Sequence, residues 1–322
     1  MRLQIAKPLK RLVRWDNPRP QRQEEVMTTA ITSEPAEPLP WIPGSDGLPI
    51  PQSAAVSAYF YPYLQAEPVR VIHKQKESPA VSPDDGLPIP PRHLHAGYGM
   101  DSDHYLVCGR ENHQMMMEIM GGAGLVIPEG ARILDFGCAG GRVIRCFKDV
   151  ADRYEIWGVD IRADHIFWCQ QHLSPPFRFT TTTTQPHLPF EDGSFQFIYA
   201  CSIFTHIGDL EDAWLLEMRR ILRPGGMLFA TVHDNHTIDL ILSSPPDDWK
   251  HHLTIRRLIL EADAAHGMLK SGYDIFQINV EPGNHQVFHD REFLRKRWGR
   301  LLDVVAIHPE GHTYQTAVVL RK

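Results

Sequence analysis

Short apolar runs alternate with segments of helical periodicity over much of the second half of the chain. Runs suited to buried strands occupy residues 132–134, 156–160, 177–184, 195–200 and 227–232. Segments between them carry apolar residues three or four positions apart, as a helix with one buried face requires. This alternation predicts a Rossmann-like, doubly wound α/β fold with a mostly parallel sheet.

The periodicity also indicates where helices lie and how the chain closes. Two final strands, 304–307 and 315–320, have no helical stretch between them, so they must pair as a C-terminal hairpin, which places one antiparallel strand in the sheet. The pattern is weak over residues 235–288, where Trp249, Tyr273 and Phe276 could line an acceptor pocket. Helices are predicted over residues 101–120, 142–147, 210–222 and 290–301.

The first 95 residues follow a different pattern, because sixteen of the 26 prolines lie there. Prolines at this density support neither a helix nor a central strand. We therefore predict a proline-rich, partly disordered extension over residues 1–95 and one α/β domain over residues 96–322. Within the extension, residues 1–15 read as a loose basic tail, and the aromatic patch at 59–63 is expected to pack on another surface.

One hexapeptide occurs twice in this extension. Asp46-Gly-Leu-Pro-Ile-Pro51 recurs as Asp85-Gly-Leu-Pro-Ile-Pro90. Each copy should form an Asp-Gly turn followed by an extended apolar segment. The copies could dock on the chain's own α/β domain, on a second subunit or on a partner protein, and the pattern does not choose among the three.

Composition excludes several classes of protein. A net charge of −6 gives no basic surface for nucleic acid, and no apolar run approaches the roughly 20 residues that span a bilayer. The five cysteines are scattered without a C-x-x-C pair, which indicates reduced thiols in a cytoplasmic protein and no zinc site. The 18 histidines show no recognised metal-ligand spacing, so we expect no metal.

Two acids and a turn of small residues mark the candidate site. The first predicted strand ends at Asp135 and leads into the small residues of 137–141, where the backbone can turn sharply and approach a ligand. The next strand ends at Asp160, where a carboxylate can accept hydrogen bonds from the ribose hydroxyls of a nucleoside. A mere helix cap at Asp160 is the alternative.

The spacing of the turn argues against a dinucleotide. In G-x-G-x-x-G counted from Gly137, the second and third glycines are replaced by Ala139 and Arg142. A carboxylate at Asp135 would repel a pyrophosphate and attract a sulfonium or ammonium group. A cofactor with a positive charge at one end and a ribose at the other fits both acids.

These residues resemble the class I S-adenosylmethionine-dependent methyltransferases. The resemblance runs from about residue 94 to 322. It is carried by the turn at 133–141, by Gly158-Val-Asp160, by residues 188–195 and by residues 222–228. Residues 86–91, 202–207, 289–298 and 311–315 are similar to a bacterial branch often associated with glycosyltransferases.

The resemblance implies S-adenosylmethionine as cofactor and a set of residues that bind it. Asp135 and the turn would surround its methionine and ribose parts, Asp160 would take the ribose hydroxyls, and Ser202 would close the site. Ala139 departs from the usual middle glycine, which is tolerable if its φ is negative. The implied cofactor-binding residues are Asp135, Gly137, Cys138, Ala139, Gly141, Asp160, Ile161 beside adenine, Thr184 and Gln185 near its amine, and Ser202.

The implied reaction is methyl transfer, with a sugar or glycan hydroxyl as the preferred acceptor and a small metabolite or lipid as the alternative. A hydroxyl must lose its proton, and the candidate bases are His206 and His289, with His233 third. Two other functions stay open: a non-catalytic scaffold that binds partners through the proline-rich arm, and an oxidoreductase that binds a nicotinamide.

Overall fold

The computed structural model describes residues 79–96, 98, 101–245, 248, 252–281 and 284–322. The predicted basic tail, the first hexapeptide, the aromatic patch and Trp249 lie outside these residues. No helix in the described part is long and apolar enough to cross a membrane.

Nine strands form one sheet in the described residues, in the order β3-β2-β1-β4-β5-β7-β6, with β9 on β5 and β8 on β9. The strands from β3 to β5 pair in parallel, as predicted for the central part. The strands are β1 (Arg132–Phe136), β2 (Glu155–Asp160), β3 (Arg178–Thr181), β4 (Phe195–Ala200), β5 (Leu222–Asp234), β6 (Ile275–Glu281), β7 (Asn284–His289), β8 (Asp303–His312) and β9 (Gln315–Arg321).

Helices cover both faces of this sheet. Methionines of α1 and aliphatic residues of α2 join one core cluster, while Trp214 of α3 and Trp298 of α7 join the cluster on the other face. Consecutive residues of β1 alternate between these clusters, since Ile133 faces one and Leu134 the other. The helices are α1 (Ser102–Gly122), α2 (Ala163–His172), α3 (Glu211–Ile221), α4 (Asn235–Ser243), α5 (Leu253–His266), α6 (Met268–Ser271) and α7 (Arg291–Trp298).

The C-terminal hairpin is confirmed, but it is not the whole antiparallel content. β8 pairs antiparallel with β9, and β9 pairs antiparallel with β5 from Met227 to Val232. A second antiparallel pair, β6 and β7, lies in the weakly patterned region, where no strand was predicted. β5 begins at Leu222, earlier than expected, with Gly225 at φ +76° in the predicted turn.

β5 has two neighbouring strands along one edge, and each pairs with a different part of it. Its middle pairs with β9, whereas its last two residues, His233 and Asp234, pair in parallel with Phe288 and His289 of β7. The region 235–289 is thus joined to the sheet where β5 ends. In a parallel sheet this end faces the ligand crevice.

The second hexapeptide packs on the α/β domain of its own chain. Leu87 is 7% exposed and belongs to the main core cluster. The carboxylate of Asp85 forms a two-point ion pair with the buried Arg145, with N–O distances of 2.6 and 2.9 Å. The first of the three docking alternatives therefore describes this copy.

Candidate active site

The turn after β1 is tied to the end of β2. Gly137 and Cys138 both donate backbone N–H bonds to the carbonyl of Val159, at 2.8 and 3.0 Å. Gly137 has φ +87°, and a Cβ there would lie 2.0 Å from Cδ1 of Ile203. Gly141 has φ +85°, and its Cβ would lie 2.4 Å from Cδ1 of Leu173. Backbone conformation and close packing both favour glycine at these two positions.

The backbone at Ala139 does not have the negative φ that would make alanine tolerable at this position. Its φ is +44°, in the left-handed region that alanine rarely adopts. Its N–H donates to Oδ2 of Asp160 at 2.8 Å, and its carbonyl accepts from Sγ of Cys169 at 3.4 Å. These contacts hold the turn in a conformation that the usual glycine would adopt without strain.

Replacing Ala139 with glycine is expected to raise the free energy of unfolding by about 0.5–1 kcal/mol. The left-handed conformation costs alanine about 1–2 kcal/mol, and the greater freedom of glycine in the unfolded chain offsets part of that gain. Urea denaturation measures the difference. The matched control is Ala123→Gly, where φ is −81° and the substitution should not stabilise. A lower midpoint for Ala139→Gly would contradict the strain argument.

Asp160 joins the turn to the second strand through both carboxylate oxygens. Besides the bond from Ala139, Oδ1 accepts from the N–H of Arg162 at 2.8 Å. The first residue before α2 is Arg162, and no side chain caps that helix, so the alternative of a mere cap at Asp160 is wrong. A carboxylate has about four acceptor positions, so two remain for ribose hydroxyls.

Asp135 lies deeper, at 3% exposure. Burial raises its pKa to about 8, and the nearby charge of Asp160 acts in the same direction, while Arg142 opposes it. A positive group at this place would favour the ionised carboxyl. The attraction of a positive group by Asp135 therefore stays a prediction.

Arg142 is a site residue that the sequence reasoning missed. It follows the turn directly, is 5% exposed, and its guanidinium lies 3.7 Å from the ring centre of Tyr98. Its Nη1 is buried and has no hydrogen-bond partner among the described residues. A positive side chain just before the N-terminus of a helical segment is unfavourable, because that end of the helix dipole is positive. This feature of the sequence could have marked Arg142 as a candidate site residue.

The helical segment after the turn differs from the prediction. It is a 3₁₀ helix over Ile144–Val150, preceded by Val143 without a side-chain cap. The helix therefore begins two residues later than predicted. Arg142 lies in the turn itself, facing Tyr98.

Ser202 closes the crevice at the end of β4 and carries a left-handed φ of +60°. Its Oγ lies 2.5 Å from the hydroxyl of Tyr98 and 3.1 Å from Oε1 of Gln315. Its N–H donates to Oγ1 of Thr231 at 2.7 Å, and that hydroxyl donates to Gln315 at 2.6 Å. The network fixes Ser202 and draws Tyr98, from the segment before α1, over the crevice. Tyr98 and Gln315 were not predicted.

The remaining predicted cofactor residues lie at the ends of β2 and β3. Ile161 is half-buried beside Asp160, and Thr184 is half-buried in the bends after β3. Gln185 is exposed, and its N–H donates to Oγ1 of Thr183 at 3.1 Å. Thr182, directly after β3, has a buried Oγ1 without a partner in the described part of the chain.

His206 is exposed and has a defined tautomer. Its Nδ1 lies 2.8 Å from the carbonyl oxygen of His285 in β7. A carbonyl only accepts, so Nδ1 carries the proton and donates. The neutral ring therefore keeps a lone pair on Nε2.

His289 lies in a different environment. It has no exposed surface, and its Nε2 is 2.5 Å from Oε2 of Glu211, which is equally buried. The other oxygen of that carboxylate accepts from Nε1 of Trp298 at 2.7 Å. The cluster links α3, β7 and α7 in the core.

His233 is also enclosed. Its Nε2 donates to Oε1 of Gln286 at 2.9 Å, and its ring stacks between Phe288 and Tyr314, with centroid distances of 5.0 and 5.6 Å. Burial lowers its pKa to about 3. The imidazole is therefore neutral at pH 7.

The crevice has the features that a nucleoside with a charged amino-acid tail requires. Asp160 retains acceptor positions, burial raises the pKa of Asp135 to about 8, and Nη1 of Arg142 is a buried donor suited to a carboxylate, without a partner among the described residues. The missing Cβ atoms of Gly137 and Gly141 let Ile203 and Leu173 pack closely against the turn. In the described part of the chain, no group of three or more His, Cys, Asp or Glu residues could hold a metal ion.

The chain is similar to several solved structures at low identity. A SAM-dependent methyltransferase from Methanosarcina mazei is 17% identical, with 63% of this chain and 96% of that chain covered and a TM-score of 0.43. One from Mesorhizobium loti is 15% identical, with 65% and 98% covered and a TM-score of 0.43. The 1,6-didemethyltoxoflavin-N1-methyltransferase of Burkholderia thailandensis is 14% identical, with 71% and 83% covered and a TM-score of 0.44.

A family match covers the centre of the site. Residues 134–230, which run from β1 through most of β5, match the family described as "Methyltransferase domain". This range contains the glycine turn, both acids and Ser202. Residues 134–230 are thus similar to a methyltransferase domain, which supports the interpretation of this chain as an S-adenosylmethionine-dependent methyltransferase.

Proposed function

We propose that this methyltransferase acts on a hydroxyl acceptor and that His206 is its general base. The observation that carries the proposal is the tautomer of His206, whose Nδ1 is bonded to the carbonyl of His285 at 2.8 Å while the residue stays exposed. An amine acceptor can be methylated from its neutral form, whereas a hydroxyl gains nucleophilicity when a base takes its proton.

The cofactor residues have separate tasks in this proposal. Asp160 accepts hydrogen bonds from the ribose hydroxyls, and Arg142 donates to the carboxylate of the methionine part. Asp135 faces the positive end, where its carboxyl changes from largely protonated to ionised. The turn from Gly137 to Gly141 supplies close backbone contact. When bound, S-adenosylmethionine supplies an electrophilic methyl group on a sulfonium sulfur.

Catalysis then depends mainly on position and on exclusion of water. Tyr98 and Ser202 cover the crevice, and their hydrogen bond holds the segment before α1 against the end of β4. Orientation of this kind supplies a large part of the barrier reduction in group transfer without a covalent intermediate. His206 removes the acceptor proton through Nε2.

His289 is a structural residue in this proposal. Its Nε2 is already bonded to Glu211 and it has no exposed surface, so an acceptor hydroxyl cannot reach it without unfolding of the cluster. Of the two predicted bases, the geometry favours His206.

A sugar or glycan hydroxyl is the proposed acceptor class. This proposal rests on the likeness of residues 202–207, 289–298 and 311–315 to the bacterial branch named above.

A cytoplasmic location is proposed because all five cysteines are free thiols. We also propose that the catalytic domain begins before residue 96, because residues 85–94 pack into its core.

Methyl transfer to defined acceptors tests this proposal. The purified chain is incubated with methyl-labelled S-adenosylmethionine and, separately, with nucleotide sugars and oligosaccharides, with small amines and with phospholipids. We expect a labelled methyl ether on a sugar hydroxyl, and no label with Asp160→Ala. Label found on nitrogen, or on lipid alone, would overturn the acceptor class.

A further inference from the structure

The second hexapeptide binds a buried guanidinium with its own atoms. Arg145 is 2% exposed. Its Nε and Nη2 donate to the two oxygens of Asp85, and Nη2 and Nη1 donate to the carbonyls of Leu87 and Pro88 at 3.1 and 3.2 Å. Lys148 adds a bond to the carbonyl of Asp85. Every one of these acceptors is an atom of residues 85–88.

The apolar residues of the same hexapeptide fill the rest of the groove. Leu87 is 7% exposed and joins the main core cluster, while Ile89 is 9% exposed and packs with Tyr105 and Leu106. We define the Arg145 groove as Arg145, Lys148, Phe147, Tyr105 and Leu106. The groove therefore recognises a carboxylate, three backbone carbonyls and two aliphatic side chains in a fixed order.

Residues 46–51 repeat that order without a single change. The flanking residues differ. Ser82 donates its N–H to the carbonyl of Leu87 at 2.9 Å, and Pro43 at the matching position has no N–H. His95 lies 3.0 Å from the carbonyl of Pro90 through Nε2, and Val56 stands in its place. The first copy thus carries the recognised hexapeptide with fewer supporting contacts, which makes it the weaker ligand.

Departure of the second copy would remove the acceptors of the Arg145 guanidinium and the apolar contacts of Leu87 and Ile89. Truncating one side of such a buried ion pair is strongly destabilising. The same departure would alter the cofactor crevice, because a Cβ placed on Gly140 would lie 2.7 Å from the carbonyl oxygen of Leu94, just beyond the hexapeptide. A replacement ligand with the same carboxylate and carbonyls removes the penalty on Arg145.

We propose that the Arg145 groove is an exchangeable binding site and that residues 46–51 of the same chain replace residues 85–90 in it. Residues 52–84 connect the two copies, and at about 3.4 Å per residue they can span on the order of 100 Å. A tethered ligand has a high effective concentration, so the copy on the same chain outcompetes one on another molecule. The exchange releases residues 91–96 from the turn at Gly140.

Hydrogen exchange of the full chain measures this replacement directly. In the docked second copy, the amides of Gly86, Leu87 and Ile89 are bonded to Ser82, Asp85 and Ala80 at 2.7–2.9 Å. We compare the wild type with Asp85→Asn, which weakens the second copy alone. Exchange should become at least tenfold faster at Gly86, Leu87 and Ile89, and at least tenfold slower at Gly47, Leu48 and Ile50.

Two further variants make the result specific. Asp46→Asn/Asp85→Asn removes both carboxylates and should abolish the protection gained at residues 47–50. Asp84→Asn removes the neighbouring carboxylate, which pairs with the exposed Arg110, and should change neither copy by more than twofold. Unchanged exchange at residues 47–50 in Asp85→Asn overturns the proposal. Protection that grows with protein concentration also overturns it, since the occupant is then a second molecule.

A measurement on the wild-type chain gives a result that does not depend on the stability of any variant. A synthetic peptide of residues 40–52 is added at increasing concentration. We expect it to speed exchange at Gly86, Leu87 and Ile89 at least threefold, and the same peptide with Asp46→Asn to have no effect. Equal effects of the two peptides, or no effect of either, mean that the groove does not accept the first copy.

Discussion

Replacing Asp160 with alanine is expected to weaken binding of S-adenosylmethionine about 10²- to 10⁴-fold. The proposed ribose contacts are two hydrogen bonds to a charged group, each worth about 1.5–3 kcal/mol. The substitution also removes the acceptor for the N–H of Ala139, which lies 2.8 Å from Oδ2, so the turn loses its connection to β2. Calorimetric titration with S-adenosylmethionine and with its demethylated product measures both affinities.

Asp164→Ala is the matched control for charge. Asp164 is the second residue of α2, four residues after Asp160, and forms an ion pair with Arg162 at 2.6 Å. Its removal deletes the same charge and should change either affinity less than threefold. Wild-type affinity in Asp160→Ala would refute the role of this residue, and NAD is expected to show no binding to any of the three proteins.

Replacing His206 with glutamine is expected to reduce kcat about 10²- to 10⁴-fold with a hydroxyl acceptor, the range found for general bases. KM for S-adenosylmethionine should stay within about threefold, because His206 is not placed on the cofactor. Enclosure of part of the ring lowers its pKa below the ordinary value near 6.5. The base is neutral above its pKa, so wild-type activity should persist below the ordinary value and be lost as the pH falls through the lowered pKa.

The pH profile and a second histidine variant distinguish a base from a structural residue. His206→Gln should lose the acidic limb of the profile as well as rate. His289→Gln should instead lower the free energy of unfolding, because Glu211 in the core loses its partner at 2.5 Å. A normal rate in His206→Gln, or a normal pH profile at reduced rate, would remove His206 as the base.

The central strands could be predicted because parallel strands buried on both faces read as continuous apolar runs. β4, predicted over residues 195–200, spans Phe195–Ala200. The pair β6 and β7 was missed although β6 carries a visible alternation, with Ile278 buried between the exposed Gln277 and Asn279. β6 lies at the edge of the sheet, and its alternating pattern gave a weaker signal than the continuous apolar runs of the core strands.

The parts of the site that escaped prediction depend on contacts between distant residues. Both acids followed from strand ends, which are local features. Tyr98 meets Ser202 and Arg142 only when the segment before α1 folds over the crevice. The positive φ of Ala139 likewise depends on its bonds to Asp160 and Cys169, which side-chain identity does not reveal.

The divided edge of β5 has a consequence for the exchange of parts between related enzymes. The loop that carries His206 is held by the inserted hairpin: Val287 of β7 donates to the carbonyl of Thr205 at 2.9 Å, and a Cβ on Gly208 would lie 2.5 Å from Oε1 of Gln277 in β6. The proposed base and the proposed acceptor-binding region are therefore coupled through these contacts. A chimaera that imports residues 235–289 from a relative must also import residues 203–208, so the two segments form one module of specificity.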